Sequence, residues 1–240
     1  RGAPDQSLVR AAWSPPPRGR RRLAVHPEDG ADPGHEGEAG RGQRHPDRGG
    51  DLPAAPGAAP TTEKTTESAA VETVRKNGYA ALTARSLAAS LGCSSKPIFG
   101  AFENMDEVRD EVMSAAYNLY SEMMQRETES GNYPYYKATG MAYIRFAKEE
   151  KELFKLLFMR DRTGEKIDDK PDEEIVKAIC NATGLSEKKA CLFHLENWVY
   201  VHGIASMIAT GYLDWDMELA SSAVTDCYLG LKGRFSKTEE

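Results

Sequence analysis

From Thr65 onward, apolar residues recur three and four positions apart, and no stretch alternates with the two-residue period of a strand. The spacing predicts an all-α chain. A first helix is expected over residues 65–77, with Ala70, Val71 and Val74 as its inward stripe and Gly78 as a left-handed stop. Thr83 stands where a helix N-cap is needed, before a second helix that Gly92 ends after Leu91. Ser94 is placed to cap a short third helix through Phe99 and Phe102, with Pro97 in the first turn, where a missing N–H costs little. Asn104, with Glu107 three residues on, has the spacing of a capping box and opens a long fourth helix to about Glu129.

Five more helices follow the same rule. One over residues 135–149 carries Ala138, Met141, Ala142, Ile144 and Phe146, and another over 152–160 carries Leu153, Phe154, Leu156, Leu157, Phe158 and Met159. A polar loop over 161–171 leads to a helix over 172–182 that buries Ile175, Val176 and Ile179. Ser186 can cap the next helix, which reaches Thr210 or Gly211 and is apolar on more than one face, so it must be covered on two sides. The last, over 216–233, aligns Ala220, Ala223, Val224, Cys227 and Leu231, small enough for close helix approach.

Composition divides the chain sharply. Residues 1–60 hold 10 of the 13 prolines, 10 of the 21 glycines and nine Arg but no Lys, with few large apolar residues. Such a segment cannot bury enough apolar area to offset its chain entropy. It reads as a disordered tail: either translated upstream sequence outside the working protein, the reading favoured by the abrupt change in Arg and Lys usage, or a basic arm touching DNA through Arg18, Arg20, Arg21 and Arg22. The remainder divides at residues 61–107 and 108–240. Across the 240 residues the net charge is −6, which excludes a protein that coats nucleic acid through bulk charge. No apolar run reaches the ~18 residues of a membrane span, and no leader of the secretory type is present. Four scattered cysteines (Cys93, Cys180, Cys191, Cys227) with no CxxC pair exclude a disulfide framework and a zinc ribbon, so the expected compartment is the cytoplasm.

Ala88, Gly92 and Ile98 stand four and six residues apart. A small residue lets two helices cross closely, a glycine makes the tight turn, and an aliphatic residue locks the pair, which is the requirement of a helix-turn-helix. An αα-hairpin of any helical protein also satisfies that spacing.

The wider run narrows the choice. Lys76-Asn77-Gly78-Tyr79, then Thr83-Ala84-Arg85-Ser86-Leu87-Ala88, Gly92-Cys93-Ser94 and the aromatic Phe99 and Phe102 before an acidic fourth helix resemble the DNA-binding domain of TetR (tetracycline repressor-like) transcriptional regulators. His202 and Gly203, after Trp198, are similar to the WHG type of C-terminal ligand-binding domain in that family. The resemblance implies a homodimer through the last two helices, with each third helix in the major groove of a double-stranded operator. It places Ser94, Ser95, Lys96 and Pro97 at the reading surface, Thr83 and Arg85 as a phosphate clamp at a helix start, and Phe99 and Asn104 beside them. This chain departs from the pattern. Phe99 replaces a family tyrosine, so a phosphate-binding hydroxyl is missing, and five basic and five acidic residues over 61–106 leave that segment neutral. The expected DNA affinity is modest and salt-sensitive.

A small-molecule effector is expected in the C-terminal core, against Tyr143, Phe146, Phe158, Met159, Trp198 and His202, since ligand sites are mostly apolar with a few polar groups. Each of these also reads as ordinary core, and His202 as a core histidine satisfied by a backbone carbonyl. The fourth helix, which joins the two parts, is the expected lever between effector and DNA. No cofactor, metal set or catalytic residue is expected: GxSxG, P-loop, GxGxxG and HExxH are all absent. Cys191 and His194 are three apart, but apolar surroundings make such a thiol inert. The chain therefore reads as a regulator, a repressor released by its effector. The alternative is a helical small-molecule-binding or protein-interaction module with a degenerate helix-turn-helix.

Overall fold

The structure is a computed structural model that describes residues 63–164 and 171–237. The tail over 1–60, with Arg18, Arg20, Arg21 and Arg22, and residues 165–170 of the polar loop lie outside the described residues. Among the described residues the chain is all-helical: α1 (Glu63–Asn77), α2 (Ala84–Leu91), α3 (Ile98–Ala101), α4 (Met105–Glu129), α5 (Tyr135–Glu149), α6 (Lys151–Phe158), α7 (Glu173–Thr183), α8 (Glu187–Ala209) and α9 (Met217–Ser236).

Helix ends follow local chemistry. The Thr83 hydroxyl accepts from the Ser86 N–H while Ser86 Oγ accepts from the Thr83 N–H, a reciprocal box that starts α2. Gly92 ends α2 in the left-handed region at φ 64°. Asn104 Oδ1 accepts from the N–H groups of Asp106 and Glu107, and Asp172 and Asp216 cap α7 and α9 in the same way.

Three expectations are corrected. Gly78 has φ 79° but ψ 165°, so it is not a left-handed helical stop. It makes a single extended step into a 3-10 turn at Tyr79–Ala81, a conformation open to glycine alone. The third helix begins at Ile98, not near Ser94, and Pro97 is its N-cap. Pro97 has no N–H to give, and Ser95 and Lys96 form a turn leading into it, their carbonyls accepting from the Phe99 and Gly100 N–H groups. Glu107 reaches back to the N–H of Glu103 instead of Asn104, which leaves half of the expected box.

One continuous core runs from the N-terminal helices into the C-terminal ones. Ala70, Val74, Leu82, Leu87, Ile98 and Phe102 join Val108, Val112 and Ala116 of α4, which continue into Tyr120, Tyr143, Phe146 and Phe154. Helix α4 therefore carries one stripe through both expected domains. Helix α5 packs on α4 and α8. Tyr136 meets His194, a Cβ on Gly140 would stand 3.6 Å from Val201, and Tyr143 meets His202, so α5 and α8 run in the same direction. A second cluster, Ile175, Ile179, Leu185, Phe193 and Phe235, joins α7 to α8 and α9. Among the described residues no helix is long and apolar enough to cross a membrane, and no group of His, Cys, Asp and Glu could hold a metal ion.

Candidate nucleic-acid interface and effector core

The helix-turn-helix is built from the inside out. Leu87 and Ile98 are fully buried, Ala88 and Phe102 nearly so, and α1 closes over them. With those inward positions used, the turn before α3 faces solvent: Ser94, Ser95, Lys96 and Pro97 are all exposed, and Phe99 is 44% exposed. Arg85, on the outer side of α2, is exposed as well. The side chains of Thr83 and Asn104 are engaged as caps, Thr83 to Ser86 and Asn104 to Asp106 and Glu107.

Charge is distributed unevenly. Arg75 is forked onto Glu150 at 2.8 Å, and Lys76 pairs with Glu72 at 3.1 Å, so two of the cations in this segment are neutralised by the protein itself. Among the described residues no carboxylate pairs with Arg85 or Lys96. Arg85 and Lys96 are the cations at and beside the turn, and Lys64, at the start of α1, is exposed as well.

The C-terminal core holds a cluster of rings. Tyr143 on α5 touches Tyr120 of α4 (6.0 Å between centroids), Phe154 (5.2 Å) and Phe158 (4.8 Å) of α6, and His202 of α8 (6.0 Å). Phe146 lies 5.3 Å from Tyr120. Trp198 stacks on His202 at 4.9 Å and 15°, one helical turn before it. Such tilted and offset pairs add about 0.5–1.5 kcal/mol each beyond area burial. The inner rings are closed off, whereas Phe158, Trp198, His202 and Ser206 are half-buried and form the margin.

A polar seam crosses this cluster. The Tyr143 hydroxyl lies 2.9 Å from His202 Nδ1, and His202 Nε2 lies 3.2 Å from Ser206 Oγ. Burial raises the Tyr143 phenol far above its usual range and lowers His202, so both are neutral. The neutral ring carries one proton, so one of its nitrogens donates to its hydroxyl partner and the other accepts from its own, Tyr143 on Nδ1 and Ser206 on Nε2. His202 is thus satisfied by side chains, not by the backbone carbonyl anticipated from sequence. The Trp198 indole N–H is buried without an acceptor among the described residues.

Of the six expected effector residues, the structure brings Tyr143, Phe146, Phe158, Trp198 and His202 together. Met159 is the C-cap of α6, 41% exposed, and stands outside the core cluster. The sequence pattern does not assign Tyr120, Phe154 or Ser206 to the site. Each nonetheless carries a signal: Tyr120 continues the α4 stripe from Val112 and Ala116, Phe154 is four residues before Phe158, and Ser206 four after His202.

A second polar set lies two turns away. The Tyr136 hydroxyl is 3.2 Å from His194 Nδ1 and accepts from Asn197 Nδ2 at 3.2 Å. Burial, partly opposed by the charge of Asp172, pushes His194 down to about 4. The His194 ring is therefore turned to α5, not to Cys191, whose thiol is pushed up, mainly by burial.

Residues 136–226 match the family described as Tetracyclin repressor-like, C-terminal domain. No curated protein matches the chain in sequence. Among solved structures, the chain is similar to a glutamine-to-alanine variant of TetR from Acinetobacter baumannii AYE in complex with minocycline. The identity is 18%, 75% of this chain and 99% of that chain are covered, and the TM-score is 0.45.

Proposed function

From the match of residues 136–226 to the tetracyclin repressor-like C-terminal domain, we propose that this chain is a sequence-specific DNA-binding regulator, a repressor released from its operator by a small-molecule effector. One observation carries the DNA part: Ser94, Ser95, Lys96 and Pro97 all face solvent above the buried Ile98 and Phe102. A short projecting element with hydroxyls and an ammonium at its tip can read base edges in the major groove. Arg85 and the start of α2 face phosphate beside it.

The effector part rests on the half-buried edge of the ring cluster. A largely apolar ligand with a hydrogen-bond acceptor fits there, because Trp198 has a buried N–H to give and Tyr143, His202 and Ser206 can re-pair. Two copies are required to read two half-sites, and α8 and α9 leave Val199, Tyr200, Met207, Leu219 and Leu229 exposed for that contact. An effector that prefers the dimer with wrongly spaced reading surfaces lowers DNA affinity, by no more than its own differential affinity, typically ~1–3 kcal/mol.

The test is a gel-shift titration, in low salt, of the full chain and of Lys96→Ala combined with Ser95→Ala against DNA from its own upstream region. Loss of the complex in the double variant is expected; survival of both affinity and sequence preference removes α3 from the reading role. A second reading, a ligand-binding module with a degenerate helix-turn-helix, is favoured by the neutralised Arg75 and Lys76 and by Phe99, which lacks a hydroxyl. Absence of any sequence-preferring complex with the wild-type chain selects it.

A further inference from the structure

Arg75, in the last turn of α1, and Glu150, the residue between α5 and α6, form a two-bond fork. Arg75 Nε donates to Glu150 Oε2 and Nη2 to Oε1, both at 2.8 Å, across 75 residues of sequence. The Glu150 side chain is only 17% exposed. A planar guanidinium on a carboxylate fixes an angle as well as a distance. Partly exposed ion pairs contribute little to stability, so alignment is what this one supplies.

The backbone of Glu150 is held by the ring cluster. Its N–H donates to the Phe146 carbonyl, and its carbonyl accepts from the Phe154 N–H, both at 2.8 Å. Phe146 and Phe154 each touch Phe158, and both pack in the cluster around Tyr143 and Tyr120. A displacement of those rings therefore moves the carboxylate that grips α1. At the next turn, a Cβ on Gly78 would stand 3.0 Å from Glu152 Oε2, so the end of α1 is seated directly on α6. Helix α1 in turn packs on α2 and α3. The long α4, expected to be the lever, has a second strut beside it.

We propose that Arg75 and Glu150 are a positioning pair that sets the angle of the helix-turn-helix on the C-terminal body and passes to it any shift of Phe146 and Phe154. This rests on the DNA-binding, dimeric reading given above. A pair that fixes angle governs which half-site spacing the dimer accepts, whereas a pair that only adds stability affects all spacings alike.

The experiment uses the full chain to select double-stranded DNA from a random pool, then re-spaces the selected half-sites by roughly one to two base pairs. The wild type is expected to favour its best spacing by about tenfold, within the usual range of coupling. Glu150→Gln, which keeps shape and loses charge, and Arg75→Lys, which keeps charge and loses the fork, are each expected to cut that preference to about twofold. Both should melt cooperatively near the wild-type temperature. Unchanged spacing preference in both variants overturns the proposal while the DNA-binding reading stands. Equal loss of affinity at every spacing also overturns it, by showing the pair to be merely structural. A wild-type chain that selects no DNA removes the DNA-binding reading, and this proposal with it.

Discussion

Tyr143 on α5 hydrogen-bonds Nδ1 of His202 on α8 at 2.9 Å, and this contact decides the chemistry of the core seam. Burial holds the phenol neutral, and the imidazole is fixed between two hydroxyls, Tyr143 on Nδ1 and Ser206 on Nε2 at 3.2 Å. Tyr143→Phe keeps the ring contacts and leaves Nδ1 of His202 without its hydroxyl partner. The expected loss is about 1–3 kcal/mol, or a fall of a few degrees in melting temperature, read by thermal unfolding. His202 remains half-buried, so the variant should fold and can be assayed for ligand binding.

The parallel contact, Tyr136 with His194, gives a pH dependence. In the folded protein burial lowers His194 to about 4, whereas the unfolded chain protonates near 6.5. Between those values the unfolded state binds more protons, so stability falls as pH drops from about 6.5 toward 4 and does not change above it. The contribution lost by pH 4.5 is about 2–3 kcal/mol. Glu72 and Asp161, both held below the usual carboxylate range, lose stability in the same direction. His194→Gln isolates the histidine: urea unfolding at pH 7 and 4.5 should show a smaller acid loss in the variant than in wild type. Equal losses would reject the assignment.

Much of this arrangement is legible in the amino-acid sequence. Helix positions follow from the three-to-four spacing, and Thr83, Gly92, Asn104 and Asp172 mark ends because their side chains or conformational freedom act within three residues. The start of α3 is obscured because Ser94 has the right chemistry for a cap, while Pro97, three residues on, decides the backbone. The 3-10 turn at Tyr79–Ala81 is packed on α1 and entered through Gly78 at φ 79° and ψ 165°, a conformation the apolar spacing does not encode. The same is true of the ring partners. Trp198 and His202 are neighbours on one helix and can be paired from spacing, but Tyr143 to His202 and Arg75 to Glu150 join residues far apart in sequence.

Asn104 separates capping from DNA contact. Its Oδ1 already accepts two N–H groups at the start of α4, so its first role is structural. Asn104→Ala should cost about 1 kcal/mol of stability and Asn104→Ser a few tenths, since serine caps nearly as well. DNA affinity should be retained in Asn104→Ser. A serine variant as stable as wild type that fails in gel shift would show a direct base or phosphate contact instead.

The salt dependence of binding follows from the charge census. On the proposed dimeric, DNA-binding reading, with Arg75 and Lys76 paired to Glu150 and Glu72, the α2–α3 surface of each protomer offers Arg85 and Lys96 to phosphate, four cations in a dimer. Counterion release then gives a slope of about −4 for log K against log salt. Lys96→Ala should reduce that slope by about 2. A wild-type slope near −10 would show cations outside this face taking part.

The proposed dimer surface can be tested without DNA. Val199 on α8 and Leu229 on α9 are each 57% exposed, and Met207 and Leu219 are close to half exposed. Scattered exposed apolar residues are ordinary, but these lie on two long helices that pack against each other, which fits the proposed contact. Gly203, Gly230 and Gly233 have open space where a side chain would stand, so backbone can approach backbone there. A two-fold contact repeats each substitution on both sides, and Leu229→Arg would place two guanidinium groups in one apolar interface. The expected outcome is a monomer by sedimentation equilibrium at concentrations where wild type is dimeric, with unchanged helical content. Because half-site recognition needs both copies, the same variant should lose sequence-specific DNA binding. A variant that stays dimeric moves the interface away from α9.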